Sequence, residues 1–204
     1  MTDPAVDRRT GAAALAAGVL MFVSVATELV WNVQRPDGSV FNTPVFVLFI
    51  GGFGLGTAAL GVALHGMSRG GEALFRTGRV GRAVSLTGAA LLTAFAVLYL
   101  VTGLVTGTPL ETAFWLFLLG FLLLIVGSIP LALGLRRSAV VGRWWAAVLV
   151  AGAGAFVAMV TLSPWHELGL FTFDAAWAAL GLRLLTLRGA STDATRSERG
   201  ALTV

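Results

Sequence analysis

Long uninterrupted apolar stretches, rather than alternating hydrophobic and polar positions, dominate this sequence. They lie at about 11–33, 44–65, 82–106, 109–135, 143–162 and 168–187, and short segments between them carry most of the charge. Each stretch reaches about 20 residues, which is the length that a helix needs to cross the hydrocarbon core of a bilayer. The pattern predicts an all-α integral membrane protein with six transmembrane helices in one domain over residues 11–188.

Composition strengthens this prediction. Hydrophobic residues make up 57% of the chain and charged residues 12%, whereas soluble domains contain about 45–50% apolar residues. The lipid bilayer is therefore the expected partner. The absence of cysteine excludes disulfides, thiolate metal sites and thiol catalysis.

The basic residues mark the predicted orientation of the helices. All fourteen are arginines, and every one except Arg35 falls on the same side of the predicted spans. Cytoplasmic loops accumulate basic residues, so this distribution predicts a plasma-membrane protein with both termini in the cytoplasm. It also explains the net charge of +4 through topology, and no nucleic-acid partner is expected.

The two ends of the chain are predicted to lie outside the membrane domain. Residues 1–10 form a cytoplasmic N-terminal segment, and the polar residues 189–204 form a disordered cytoplasmic tail. A cleaved signal peptide ending near Ala26 is an alternative for the first span. Its apolar run exceeds the usual length of a signal peptide, which favours a retained helix.

Three similar dipeptides indicate a repeated helical hairpin. Thr43-Pro44, Thr108-Pro109 and Ser163-Pro164 precede the second, fourth and sixth spans. A hydroxyl at the N-cap accepts a hydrogen bond from an unpaired backbone N–H, and proline is favoured at the first helical position. Glu111 would complete a capping box with Thr108. The six helices are therefore predicted to form three tandem hairpins.

Glycines in the second span predict close helix packing. Gly52 and Gly56 are four residues apart, a spacing that lets two helices approach each other. We expect this pair to pack within the chain, and a contact with a second copy is the alternative.

Two acidic residues lie inside the predicted spans, where a charge is costly and often functional. Glu28 lies near the outer end of the first span and Asp174 lies within the sixth. If the helices close into a ring, both acids can line one polar cavity and carry a proton or a cation. Alternatively, they only fix helix packing through hydrogen bonds to neighbouring polar groups, namely Ser24, Thr27, Asn32 or Thr172.

Other polar candidates support chemistry less well. The indole N–H of Trp177, inside the sixth span, requires a partner or an interior face. His166 and Glu167 lie on the predicted outer face, but their spacing matches no metal motif, and neither a metal nor a cofactor is expected. Ser163 beside His166 is the one nucleophile and base pair; Ser163 is explained as a cap, so no catalytic residue is assigned.

These observations leave three functional hypotheses. The leading one is a non-enzymatic membrane protein that acts through helix packing or contacts with a membrane-protein partner or a second copy. The alternative is a small proton- or cation-coupled transporter or channel that uses Glu28 and Asp174. The third is a membrane-embedded enzyme with an outward pocket that joins His166, Glu167 and Asp174.

Overall fold

The computed structural model describes residues 8–34, 43–67, 75–137, 143–162 and 166–201. In the last two ranges, side chains are described for residues 146–157, 161 and 169–186. The described chain forms six long helices and no strand, which confirms the all-α prediction. They are α1 (Arg8–Gln34), α2 (Pro44–Gly66), α3 (Arg76–Thr106), α4 (Phe114–Arg137), α5 (Arg143–Leu162) and α6 (His166–Ala201).

The helices form a closed ring in sequence order, because each one contacts the next and α6 contacts α1. Gly66 at the end of α2 approaches Thr10 near the start of α1, so these two helices are antiparallel. Gly103 near the end of α3 likewise approaches Phe46 near the start of α2. The pairs α1–α2, α3–α4 and α5–α6 are in contact, as the predicted hairpins require.

The two ends of the helical ring differ in charge. Four helix termini at one end carry arginine, at Arg8, Arg76, Arg137 and Arg143, and we call this the arginine-rich end. The opposite end, here the arginine-poor end, contains the last residues of α1 and α3 and the first residues of α2, α4 and α6.

Four of the described helical segments are long and apolar enough to cross a membrane. They are Arg8–Gln34, Pro44–Gly66, Arg76–Thr106 and Glu111–Arg137. In α5, the described apolar segment Ala146–Val157 is shorter. The structure thus supports the membrane-helix prediction for α1 to α4 by length and composition.

Hydrogen bonds of threonine hydroxyls shape the chain at the starts of α2 and α4. Thr43 caps α2 as predicted, because its hydroxyl accepts a hydrogen bond from the Phe46 N–H at 3.3 Å. Thr108 does not cap α4. Instead the Thr106 hydroxyl donates to the Thr108 carbonyl at 2.6 Å, and the Thr102 hydroxyl accepts from the Leu110 N–H at 3.0 Å.

These hydrogen bonds hold residues 106–110 in a turn, so the predicted capping box with Glu111 is wrong. Glu111 instead opens a 3₁₀ turn over Glu111–Ala113, and α4 begins at Phe114. The third dipeptide, Ser163-Pro164, lies outside the described residues.

Two helices extend beyond their predicted spans by six residues or more. The α3 helix begins at Arg76, six residues before the predicted start at residue 82, because its arginines continue the helix into the charged region. The α6 helix continues to Ala201, so helical backbone covers most of the polar segment 189–204. That segment contains no proline, and hydropathy alone does not locate the end of such a helix.

Small residues allow close contacts between helix backbones. A β-carbon on Gly88 of α3 would lie 2.6 Å from the carbonyl oxygen of Gly120 of α4. A β-carbon on Gly56 of α2 would lie 2.6 Å from Cγ of Met21 of α1. Gly56 therefore packs within the chain, as predicted, and the Gly52 site faces Ser24 of α1 at 3.6 Å.

Aromatic side chains fill the centre of the helical ring. Phe121 of α4 is 6.1 Å from Phe53 of α2, 5.0 Å from Phe156 of α5 and 6.4 Å from Phe173 of α6, measured between ring centroids. Phe121 thereby connects four helices, and this aromatic cluster supports the site described next.

Candidate ligand cavity at the arginine-poor end

A cavity of about 300 Å³ lies inside the helical ring near its arginine-poor end. The described lining residues come from five of the six helices. The lining residues are Val25 and Glu28 of α1, Phe49, Ile50 and Phe53 of α2, Phe95 and Tyr99 of α3, Phe114 and Phe117 of α4, and Leu170 of α6.

Aromatic rings form most of this lining, and they contact one another. Phe95 of α3 lies 5.0 Å from Tyr99 and 5.2 Å from Phe117 of α4, between ring centroids. Phe53 of α2 lies 6.1 Å from Phe117. These distances are in the range of favourable aromatic pairs, so the wall is held together by contacts across three helices.

Two polar side chains interrupt the aromatic wall. Glu28 of α1 and Tyr99 of α3 are both half-buried, and both line the cavity. Glu28 lies six residues before the end of α1, so this polar part of the cavity is close to the arginine-poor end. Of the described lining residues, Glu28 alone bears a formal charge.

No protein-family model, curated protein or solved structure matches this chain.

Asp174 does not contribute to the lining of this cavity. Phe22 of α1 and Phe171 of α6 contact each other at a centroid distance of 4.7 Å, which sets the register of these two helices. Glu28 lies six residues from Phe22 toward the arginine-poor end, and Asp174 lies three residues from Phe171 toward the other end. At 1.5 Å per residue, the two backbone positions differ in depth by about 13 Å.

Asp174 is instead buried in the protein, with 2% of its surface exposed. Its Oδ2 atom is buried and has no hydrogen-bond partner among the described residues. The structure therefore does not bring Glu28 and Asp174 together in one cavity, which was the arrangement expected for a coupled pair.

The hydroxyl groups proposed as partners of the acids are engaged elsewhere. Ser24 donates to the Phe49 carbonyl at 2.5 Å, Thr27 to the Val23 carbonyl at 2.8 Å, and Thr172 to the Gly169 carbonyl at 2.8 Å. A hydroxyl has a single proton to donate, so these hydrogen bonds compete with donation to a carboxylate. The fourth candidate, Asn32, is exposed near the end of α1.

Trp177 faces the interior, one of the two arrangements that the sequence allowed. Its side chain is completely buried and its ring centroid lies 6.5 Å from that of Phe173. Its Nε1 atom has no hydrogen-bond partner among the described residues. Trp177 follows Asp174 by three positions on α6, so two buried polar groups lie one helical turn apart.

The outer-face candidates remain predictions. His166 and Glu167 begin α6, but their side chains lie outside the described residues. Among the residues that the structure describes, no group of three or more His, Cys, Asp or Glu is arranged to hold a metal ion.

Sequence reasoning identified Glu28 but missed its aromatic surroundings. Tyr99 is the single tyrosine of the chain, and it follows Phe95 by four residues, as Phe53 follows Phe49. This spacing places each pair on one face of its helix. It does not show whether that face points to lipid or to the interior, because aromatic side chains are compatible with both.

Proposed function

We propose that this protein is a non-enzymatic integral membrane protein of the plasma membrane that binds a small ligand in the aromatic cavity. The main support for this proposal is the cavity itself, where one acidic side chain lies among six aromatic rings from three helices. A volume of about 300 Å³ lies at the lower end of the range of small-molecule sites, roughly 300–1,000 Å³.

The membrane location is supported by the outer surface of the helical ring. Large apolar side chains are exposed on α1 to α4, and the most exposed include Val23, Leu48, Leu55, Val105 and Leu122. In water, so extensive an apolar surface promotes association. In a bilayer the same surface contacts lipid chains at no such cost.

The proposed orientation follows from the arginine-rich end, which we assign to the cytoplasm together with both termini. The cavity then lies in the half of the protein that is nearer to the outside of the cell. The test is a set of fusions of a folding reporter to the full chain and after residues 35, 70, 107 and 140. Fusions at 70, 140 and the C-terminus should report cytoplasm, and those at 35 and 107 the outside; the reverse pattern would reject this orientation.

Binding rather than catalysis is supported by the polar groups of the cavity. Glu28 and Tyr99 provide them, and the described lining residues include no serine or histidine that could act as nucleophile or base. One acid with one phenol is suited to orienting a bound molecule.

Ligand binding is tested by filling the cavity. Val25 lines it and is 2% exposed, whereas Val23, two residues away, is 55% exposed. Compounds that raise the unfolding temperature of the purified native protein should lose this effect in Val25→Phe and keep it in Val23→Phe. If a broad compound set shifts neither the native protein nor Val23→Phe, the ligand-binding proposal is rejected.

A second candidate function is contact with a partner helix, here a second copy of the chain. A groove of about 800 Å³ lies between α2 and α3 and includes small residues such as Ala58, Gly61, Ala90 and Ala94. Small residues of this kind allow another helix to approach closely.

Measuring the mass of the detergent-solubilised protein tests whether two copies associate through this groove. Ala94→Trp fills the groove, whereas Ala83→Trp places the same side chain at an exposed position of α3 outside it. A dimer that dissociates in Ala94→Trp and persists in Ala83→Trp supports this function. A native protein that is monomeric at all concentrations excludes it.

A further inference from the structure

We infer that the aromatic cavity is a site for a small organic cation, whose positive group lies among the aromatic rings with Glu28 as its counter-charge. This inference rests on the proposed ligand-binding function and names the chemical class of the ligand. The supporting observation is that Glu28 of α1 and Tyr99 of α3 line one cavity, together with the rings of Phe49, Phe53, Phe95, Phe114 and Phe117.

The charge of the cavity selects for a positive ligand. Glu28 is half-buried among apolar side chains, and no described lining residue is basic. Electrostatic interactions strengthen as water is displaced, so a bound cation gains attraction to the carboxylate. A bound anion would be repelled by the same group.

The aromatic wall selects for an organic cation rather than a metal ion. Calcium requires six to eight oxygen ligands and magnesium six, several of them often water. Among the described lining residues, side-chain oxygens come only from Glu28 and Tyr99. Ammonium groups that carry alkyl substituents need fewer hydrogen bonds and are attracted to the faces of aromatic rings.

The shape of the wall suits this attraction. Phe95 contacts both Tyr99 and Phe117, at centroid distances of 5.0 and 5.2 Å. Phe53 adds a further ring 6.3 Å from Phe95. Rings from three helices therefore line one cavity, and a cationic head group in it would lie close to several of them.

The test uses benzyltrimethylammonium and its uncharged isostere neopentylbenzene, in which carbon replaces the nitrogen. Binding of each labelled compound is measured by equilibrium dialysis against the full chain in lipid nanodiscs, and binding to empty nanodiscs is subtracted. The cation should bind at least about tenfold more tightly than the isostere, because the isostere has the same shape without the charge.

Two variants assign the binding to this cavity. Glu28→Gln should weaken cation binding by about tenfold and leave the isostere within about twofold. Phe95→Leu should weaken cation binding several-fold while keeping an apolar wall. The control is Arg136→Gln, which removes an exposed charge at the arginine-rich end, outside the lining, and should change the affinity by less than about twofold.

The outcomes separate this inference from the proposed function. Equal binding of both compounds, each lost in Val25→Phe, overturns the cation assignment and leaves the ligand-binding function in place. Unchanged cation affinity in both Glu28→Gln and Phe95→Leu places binding elsewhere and overturns the inference. Failure of both compounds to bind the native protein, together with no stabilising compound in the thermal assay, rejects both proposals.

Discussion

Gly18 of α1 lies directly against the backbone of α6 at Asp174. A β-carbon on Gly18 would stand 2.5 Å from the Asp174 carbonyl oxygen and 2.8 Å from the Ala178 Cα atom. Real β-carbons do not approach backbone atoms so closely, so this contact requires glycine. It also closes the helical ring, because α1 and α6 are the first and last helices of the chain.

Gly18→Ala should therefore destabilise the protein. The added methyl group meets backbone atoms that cannot rotate away, so α1 and α6 must separate, at a cost of about 3 kcal/mol. Gly154→Ala is the control, because Gly154 of α5 is exposed and has no atom within 4 Å of its added β-carbon. That variant should be stabilised by about 0.5–1 kcal/mol through helix propensity.

For both variants, the midpoint of thermal unfolding is measured in detergent by circular dichroism. A Gly18→Ala protein as stable as the native one would mean that α1 and α6 are not in backbone contact. That result would also remove the ring closure on which the cavity depends.

Phe121 should be a major determinant of stability. It contacts aromatic side chains of α2, α5 and α6, so Phe121→Ala should cost about 3–5 kcal/mol of unfolding free energy. Leu122→Ala on the same helix removes a side chain that is 57% exposed and should cost well under half as much. Equal effects in a denaturant titration would contradict the central position of Phe121.

Asp174→Ala should stabilise the protein, because the Asp174 Oδ2 atom is buried without a partner among the described residues. An unsatisfied buried polar group costs about 1–3 kcal/mol, and alanine leaves only a small space. The readout is the unfolding temperature, with Ser24→Ala as the comparison. Ser24→Ala should be destabilising, since the Ser24 hydroxyl donates to the Phe49 carbonyl of α2.

A loss of stability in Asp174→Ala would show that the carboxyl group has a partner, such as an ordered water molecule or an ion. Asp174 would then become a second candidate site, deeper in the helical ring than the aromatic cavity.

Thr57 and Thr93 should couple only weakly, although their hydroxyl oxygens are 3.0 Å apart across the α2–α3 interface. Each hydroxyl also lies within hydrogen-bond distance of a carbonyl of its own helix, Gly54 for Thr57 and Ala89 for Thr93. The two hydroxyl groups thus have two protons for three possible hydrogen bonds. A double-mutant cycle with Thr57→Val and Thr93→Val should give a coupling free energy near or below the ~0.6 kcal/mol average for membrane helices.

A coupling free energy well above that average would mean that the interhelical hydrogen bond replaces one of the two bonds to carbonyls. The groove between α2 and α3 would then have a more rigid wall than these contacts imply.

Several local features could be predicted from the sequence because their causes are local. The helical class follows from the length of each apolar stretch, and the Thr43 cap follows from a hydroxyl beside a proline. Thr108 has the same local pattern but forms no cap, because the Thr102 hydroxyl, eight residues before Leu110, binds the backbone of that residue. A dipeptide pattern does not contain this longer-range contact.

The candidate site was only partly predictable. Glu28 could be identified because an acid within an apolar span is costly wherever it lies. Its neighbour Tyr99 could not be identified in this way, since a tyrosine is compatible with a lipid interface, a helix contact or a cavity. The expected association of Glu28 with Asp174 failed because the register of α1 against α6 places them at different depths.

The sequence alone determined that long apolar helices form most of this protein and that its arginines are distributed asymmetrically. Those properties depend on side-chain composition and on hydrogen bonds within single helices. The tertiary structure alone decided which helix faces turn inward, and hence that Glu28, Tyr99 and five phenylalanines share a cavity. The physical reason is that both the outward and the interior faces of these helices are apolar. The rotation of each helix about its own axis is therefore set by close contacts between small residues, such as Gly18, Gly56 and Gly88, and the neighbouring helices.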